Sequence, residues 1–280
     1  MAKHQKNKGL KVTTSNLCSE IMLHTGVDHL GNERTAVCCL SSVNLEKWDE
    51  WSTDEMFIQD VMRFLDNVLE DFINNAPDSM KNAVYSAKRE RSVGLGAMGF
   101  HSFLQKKGIP FESALAKSWN VKFFKHLKQE ADKASVILAI EKGACPDADE
   151  EQVKARFSHK LAIAPTASIS IICGGTSACI EPIPANIYTH KTLSGSFTVK
   201  NKFLENLLEE KKINNDDIWQ SIIENDGSVA HLNELNDDEK KCFKTAFEID
   251  QRWIIEMAAD RTPNICQSQS INLYLSADID

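Results

Sequence analysis

The segment Ser15-Asn16-Leu17-Cys18-Ser19-Glu20 brings together the most reactive combination of side chains in the sequence. Asn16, Cys18 and Glu20 alternate, so in an extended finger all three would face one way. A thiol flanked by an amide donor and a carboxylate base is equipped for hydrogen-atom and proton chemistry at a hydroxylated carbon. Taken alone, the same letters also read as a surface Asn, a buried Cys and a solvated Glu, and that plainer reading outweighs the first. A second constellation is Ala164-Pro165-Thr166-Ala167-Ser168-Ile169. A short buried strand, Leu161 to Ala164, ends at Pro165, and hydroxyl-bearing residues open a turn whose N–H groups can face an anion. A Ser/Thr cap on a helix accounts for those residues equally well.

Two further patterns point to chemistry without carrying it. Gly94-Leu95-Gly96-Ala97-Met98-Gly99 matches GxGxxG, but dinucleotide binding needs a buried strand before it and an acidic residue about 20 positions on. Lys88-Arg89-Glu90-Arg91-Ser92 is no buried strand, and Pro110 spoils the one that Glu112 would need, so the glycines read as close helix packing. Eight cysteines, at 18, 38, 39, 145, 173, 179, 242 and 266, form no CxxC. Cys18, His24, His29 and Cys38 fit no standard zinc spacing, and no metal site is expected.

The elements that must position these residues are mostly helical. Apolar residues from Met56 to Phe72 recur at helical spacing within Trp51 to Ile73, and Pro77 ends that helix. Helices are also predicted over Gly96 to Lys107, Ser113 to Glu141, Phe203 to Lys211 and Asp238 to Asp260. Thr35 to Leu40 reads as a buried strand or a helix lead-in, and Ser268 to Leu275 alternates like a strand. Residues 166–195 read as functional loop rather than helix, and 1–14 as an irregular arm ahead of a single unit over 15–280. The five tryptophans sit at or near helical apolar positions and read as core. The pattern is α/β and helix-rich, with strands spaced as in a barrel or a parallel sheet.

With 280 residues, 42% hydrophobic and 26% charged, the chain is long enough to bury a sizeable core. No apolar run is long enough to span a bilayer, and the first fifteen residues lack the apolar stretch of a secretory signal, so a cytoplasmic protein with mostly reduced thiols is expected. A net charge of −8 without a basic stripe argues against a nucleic-acid polymer as partner. A single nucleotide is not excluded, because a phosphate needs only a few N–H donors.

From about Lys6 onward the sequence resembles the large subunit of class I ribonucleotide reductases. The resemblance rests on the finger and on Ala36-Val37-Cys38-Cys39-Leu40-Ser41-Ser42-Val43-Asn44-Leu45. It continues through Arg91-Ser92-Val93-Gly94-Leu95-Gly96, Gly143-Ala144-Cys145-Pro146 and Ala164-Pro165-Thr166-Ala167-Ser168. Ile180-Glu181-Pro182, Asn186-Ile187-Tyr188-Thr189, Leu193-Ser194-Gly195-Ser196-Phe197 and Ile265 to Asn272 follow in the family's order. It implies about half of a ten-stranded α/β barrel, with the finger entering its centre. It implies that Cys18 becomes a thiyl radical that takes the ribose 3′ hydrogen, that Glu20 takes the 3′-hydroxyl proton and that Asn16 bonds the sugar. Cys38 would be one of two redox thiols, its partner lying outside this chain, with Cys39 a packed small side chain. Ser15, Asn16 and Glu20, with Thr166, Ala167, Ser168 and Ile169 around the diphosphate, would bind substrate. No role falls to the histidines.

The family's first barrel half, its radical-relay tyrosines and its C-terminal cysteine pair are not in this sequence. A catalytic-centre fragment is therefore expected, inactive alone, that reduces ribonucleoside diphosphates for deoxyribonucleotide synthesis together with the remaining large-subunit segments. A metal-containing small subunit would supply the radical and thioredoxin or glutaredoxin the electrons; this chain would bind no cofactor. A cobalamin-dependent reductase shares the Asn-x-Cys-x-Glu finger, and a need for small subunit rather than cobalamin separates the two. An inactive remnant or subunit-binding fragment is the non-enzymatic alternative, and it would assemble without turnover.

Overall fold

The structure, a computed structural model, describes residues 2–192 and 195–275; Leu193 and Ser194 of the quoted motif, and 276–280, lie outside the described residues. The expected irregular arm holds a short helix, α1 (Lys3–Asn7). Burial of His4, Gln5 and Leu10 orders this polar segment, and the Gln5 amide donates to Glu90 at 2.8 Å and to Asp147 at 3.2 Å. After the finger come β1 (Gly26–Val27), β2 (Glu33–Arg34), β3 (Cys39–Asn44), α2 (Trp48–Trp51), α3 (Phe57–Asn75) and α4 (Lys81–Glu90). Next are β4 (Val93–Met98), α5 (Phe100–Lys106), α6 (Ala114–Lys142) and α7 (Pro146–Asp149). α8 (Ala167–Ile172), the hairpin of β5 (Ile187–Thr192) and β6 (Gly195–Lys200), α9 (Lys202–Glu210), α10 (Asp216–Glu224), α11 (Asp237–Cys242) and α12 (Gln251–Arg261) complete the order.

Parallel pairing organises the centre. β3 runs beside β4 from Cys39↔Val93 to Asn44↔Met98, Leu95 bridges Leu161, and Ile163 bridges Gln269, all parallel. Parallel neighbours need long crossovers, which α3–α4 and α5–α6 supply. α3 buries Ile58, Met62, Leu65, Leu69 and Ile73 against α6 and the strands. α6 starts where the Ser113 hydroxyl accepts from Ala116 N at 3.1 Å and stops at Gly143. Trp48, Trp51 and Trp219 are buried, Trp219 in a second core under β5, α9 and α10. Among the described residues, no further strand pairs with the outer edge of β3 or of the Gln269 segment.

Several expectations are corrected here. The GxGxxG glycines belong to a strand: a Cβ at Gly94 would collide with the Leu40 side chain, and one at Gly96 would lie 2.5 Å from Ala162 O. They let the neighbouring strands approach, and the predicted helix at Gly96 begins only at Phe100, after Gly99 turns to φ +80°. The helix predicted over Asp238 to Asp260 is two. Asn236 caps α11 with a capping box, Asp250 caps α12, and the Glu248 carboxylate ties the intervening turn to Thr245 N and Ser228. Residues 166–195 include α8 and β5 rather than loop throughout. In Ser268 to Leu275, only Gln269 forms a bridge.

Buried charge braces the chain before β3 and before β4. Arg34 binds Asp28 at 2.9 Å and Asp147 at 2.6 Å, and Arg91 and Arg156 both grip Asp66. Glu90 is fully buried, with Oε1 lacking a partner. Burial pushes its carboxyl up to about 7, against the opposing pull of Gln5 and Arg34. Unfolded, it titrates near 4.5, so between that value and about 7 the folded state keeps a proton that the unfolded state releases. Stability is therefore lost as pH rises through this window. Glu90→Gln is expected to be more stable than the parent above neutrality by on the order of 1–3 kcal/mol, with the gap shrinking toward about pH 5. Urea midpoints across that range check it; a pH-independent difference between variant and parent would sink it.

Candidate active site

The finger is a turn rather than an extended strand. Ser19 N donates to Asn16 O at 3.1 Å and Ser19 adopts φ +64°, so Asn16, Cys18 and Glu20 do not share one face. Asn16 is exposed and its side-chain oxygen accepts from Ile21 N at 3.0 Å; Ser15 and Leu17 are exposed as well. Cys18 is half-buried and Glu20 is buried, its Oε2 without any partner. A buried carboxylate oxygen left unpaired costs free energy, and Glu20 Oε2, unlike the equally unpaired Glu90 Oε1, sits beside a thiol on the same turn. The spacing singled these residues out as candidates; the closing bond of the turn decided where they point.

The base of the finger is held by the last parallel segment. Ser268 N donates to Glu20 O at 3.0 Å, and Met22 N donates to the Gln267 side chain at 3.1 Å. The same Gln267 amide donates to Cys38 Sγ at 3.2 Å, which brings the finger and Cys38 to one amide. Burial pushes the Cys38 thiol well above the ordinary cysteine range, and the Gln267 bond opposes that only in part, so Cys38 keeps its hydrogen at neutral pH. Cys39 points to the other side of β3 and packs against the main core.

Thr166 stands in the left-handed region at φ +54° and heads α8, with Ala167, Ser168 and Ile169 exposed in the first turn. First-turn N–H groups have no partner within their helix. The Thr166 hydroxyl accepts from Cys179 N at 2.7 Å, which leaves its own hydrogen free to donate. Cys179 links this turn to the finger: burial first, then Glu181 and more weakly Glu20, push its thiol up to about 12. Glu181 in turn is fully engaged, accepting from Asn272 N at 2.7 Å, Asn272 Nδ2 at 3.0 Å and Tyr274 OH at 3.1 Å. Sequence reading placed Glu181 and Gln267 inside motifs without a role for either. Nothing in the sequence signals side chains that act by bridging segments 91 to 245 residues apart.

A cleft of about 840 Å³ between α5, α9 and α11 is lined by Gln105, Phe203, Leu207 and Cys242 and contains none of these residues. Buried His101 and His159, both pushed down to about 3 by burial, act as neutral hydrogen-bond partners of Ile183 N and of Ala2 N. Among the described residues, no group of three or more His, Cys, Asp or Glu side chains is placed to hold a metal ion.

The family described as "Ribonucleotide reductase, barrel domain" matches this chain over residues 2–157 and 149–280. The chain belongs to that family. Its relatives include the ribonucleoside-diphosphate reductase large subunit of Invertebrate iridescent virus 6, 50% identical over 94% of this chain and 27% of the relative. The large subunit of Invertebrate iridescent virus 3 is 47% identical over 98% of the chain and 43% of the relative. Among solved structures, the Actinobacillus ureae class Id ribonucleotide reductase alpha subunit superposes with a TM-score of 0.89 at 40% identity, covering 97% of this chain and 49% of that one. The chain thus spans between about a quarter and a half of the relatives it matches. The expected α/β architecture holds, as part of a ribonucleotide reductase barrel. No helix among the described residues is long and apolar enough to cross a membrane.

Proposed function

We propose that this chain supplies the catalytic centre of a ribonucleoside-diphosphate reductase large subunit, working with chains that complete its barrel. The observation that carries the proposal is the buried, unpartnered Glu20 Oε2 on the same turn as a half-buried thiol. Oxidised to a thiyl radical, Cys18 takes the ribose 3′ hydrogen. Glu20 receives the 3′-hydroxyl proton through its free oxygen, and the 2′ hydroxyl leaves as water. Asn16 and Ser15, at the exposed face of the turn, bond the sugar once substrate closes over them. Two electrons and two protons come from Cys38 and a second thiol outside this chain, which end as a disulfide, while Cys18 returns the hydrogen to C3′ and is left again as the thiyl radical. Thr166, Ala167, Ser168 and Ile169 hold the diphosphate by N–H groups and the free Thr166 hydroxyl hydrogen. The high affinity of Cys38 for its proton means that it starts the reaction as a thiol, with its hydrogen available to hand over.

The radical comes from a metal-containing small subunit, and thioredoxin or glutaredoxin returns the disulfide to thiols, all in the cytoplasm. Unpaired edges on β3 and the Gln269 segment are where the remaining barrel strands add. The test is a diphosphate-reduction assay on this chain mixed with the remaining large-subunit segments and the small subunit. Deoxynucleotide that requires every component is the expected result. Assembly of the segments without product would reduce the chain to a binding piece.

A further inference from the structure

The Gln267 carboxamide joins three parts of the molecule through one planar group. Its Oε1 accepts from Met22 N at 3.1 Å, and its Nε2 donates to Val93 O at 3.1 Å and to Cys38 Sγ at 3.2 Å. These partners settle its orientation: a backbone N–H can only donate and a backbone carbonyl can only accept, so the amide cannot be flipped without losing both. Its backbone is fixed as well, since Gln267 N donates to Leu161 O at 3.1 Å. Both amide hydrogens are used, and one is committed to a sulfur. Among the described residues no other N–H donor reaches Cys38 Sγ, and the sulfur is hemmed in by β4, where a Cβ at Gly94 would lie 3.1 Å from it.

We infer that Gln267 is a positioning residue for Cys38, locking the thiol in register with the base of the finger and stabilising its sulfur by a directed N–H bond whenever negative charge builds there. The inference rests on the redox role proposed for Cys38 and deepens it. A thiol that hands over its proton and then enters a disulfide passes through a charged form that burial penalises. The other titratable groups that act on Cys38 are Cys39, Cys266 and Glu90, and each of them opposes that charge. The Gln267 donor acts in the opposite direction, and it is tied to the finger by its own carbonyl, so the reducing thiol and the radical turn are set by a single side chain.

The test is the rate at which iodoacetamide alkylates Cys38 in the full chain at about pH 8.5, localised by fragment-ion mass spectrometry, with exposed Cys173 as internal reference. Gln267→Glu keeps the shape and the acceptor for Met22 N but removes both donors. It is expected to slow Cys38 by about tenfold or more, since a hydrogen bond to a charged group is worth about one pKa unit or more, while Cys173 is unchanged. Gln267→Leu, which adds no charge, should slow it in the same direction and by less. Loss of a purely structural tie works the other way: loosening exposes an ordinary thiol and speeds alkylation, the behaviour expected of Met62→Ala in the core under α3. An unchanged or faster Cys38 in Gln267→Glu overturns the inference. Because no turnover is measured, failure of the reconstituted reductase would remove the catalytic reading and leave this result standing, and the reverse also holds.

Discussion

Replacing Cys18 by alanine is expected to bring deoxynucleotide formation in the reconstituted assembly down to background, with fold and assembly unchanged. Cys18 is only half-buried, and the bond that closes its turn is made by the backbones of Ser19 and Asn16, so alanine removes the sulfur and little else. None of the other seven cysteines lies on the turn, and Cys38, Cys145, Cys179 and Cys242 are held as thiols by burial. A nearby cysteine is thus no substitute for the proposed radical carrier. The measurement is product formation beside urea midpoint and segment association for parent and variant. Residual turnover at even a tenth of the parent rate would show that hydrogen abstraction does not depend on Cys18. A variant that also failed to associate would instead place Cys18 in the assembly.

The second large effect concerns stability. Arg34→Met is expected to destabilise the chain by about 3–5 kcal/mol, because it leaves buried carboxylates without their main counter-charge. Arg34 donates to Asp28 at 2.9 Å and to Asp147 at 2.6 and 2.9 Å, and all of these side chains are inaccessible to solvent. Arg89 still reaches Asp147, but Asp28 keeps only neutral donors, Tyr85 and the N–H groups of Leu30 and Asn32. Burial alone would raise the Asp28 carboxyl; Arg34 and those donors outweigh it and hold the group down to about 2. Its contribution is therefore present above the ordinary carboxylate value of 3.8 and is lost as pH falls from there toward 2. Arg34→Met should flatten that acid limb as well as lower the urea midpoint. With total stabilities of about 5–15 kcal/mol typical for folded domains, such a loss consumes much of the margin. A midpoint unchanged within error would mean that the network is not what braces the start of β3.

Much of the candidate site was legible because its chemistry is carried by rare neighbours in sequence. Asn16, Cys18 and Glu20 within five positions, Cys38 with its flanking Val37 and Leu40, and Thr166 to Ile169 after Pro165 each form a local pattern. The long helices were legible for the same local reason, since the apolar period of α3 and the Ser113 cap and Gly143 stop of α6 are written in consecutive residues. Where one tertiary contact outweighed a local pattern, the reading failed. α1 is polar in composition and helical because Gln5 is held by Glu90 and Asp147. Gly94 and Gly96 look like a phosphate loop or a helix seam and are strand residues, because Leu40 and Ala162 pass too close for any side chain.

The sequence by itself therefore determined the family to which the chain belongs and the residues proposed for its chemistry. These depend on side-chain identity and short spacing, which survive in the letters. Only the tertiary structure decided that the finger is a turn with Glu20 inside and Asn16 outside, that Thr166 is braced by Cys179, and that Gln267 spans Met22, Val93 and Cys38. Apart from the Ser19–Asn16 bond that closes the turn, those are hydrogen bonds between positions 13 to 245 residues apart in the chain. Their partners are selected by which backbone groups packing leaves buried and unpaired, and no local period records that selection.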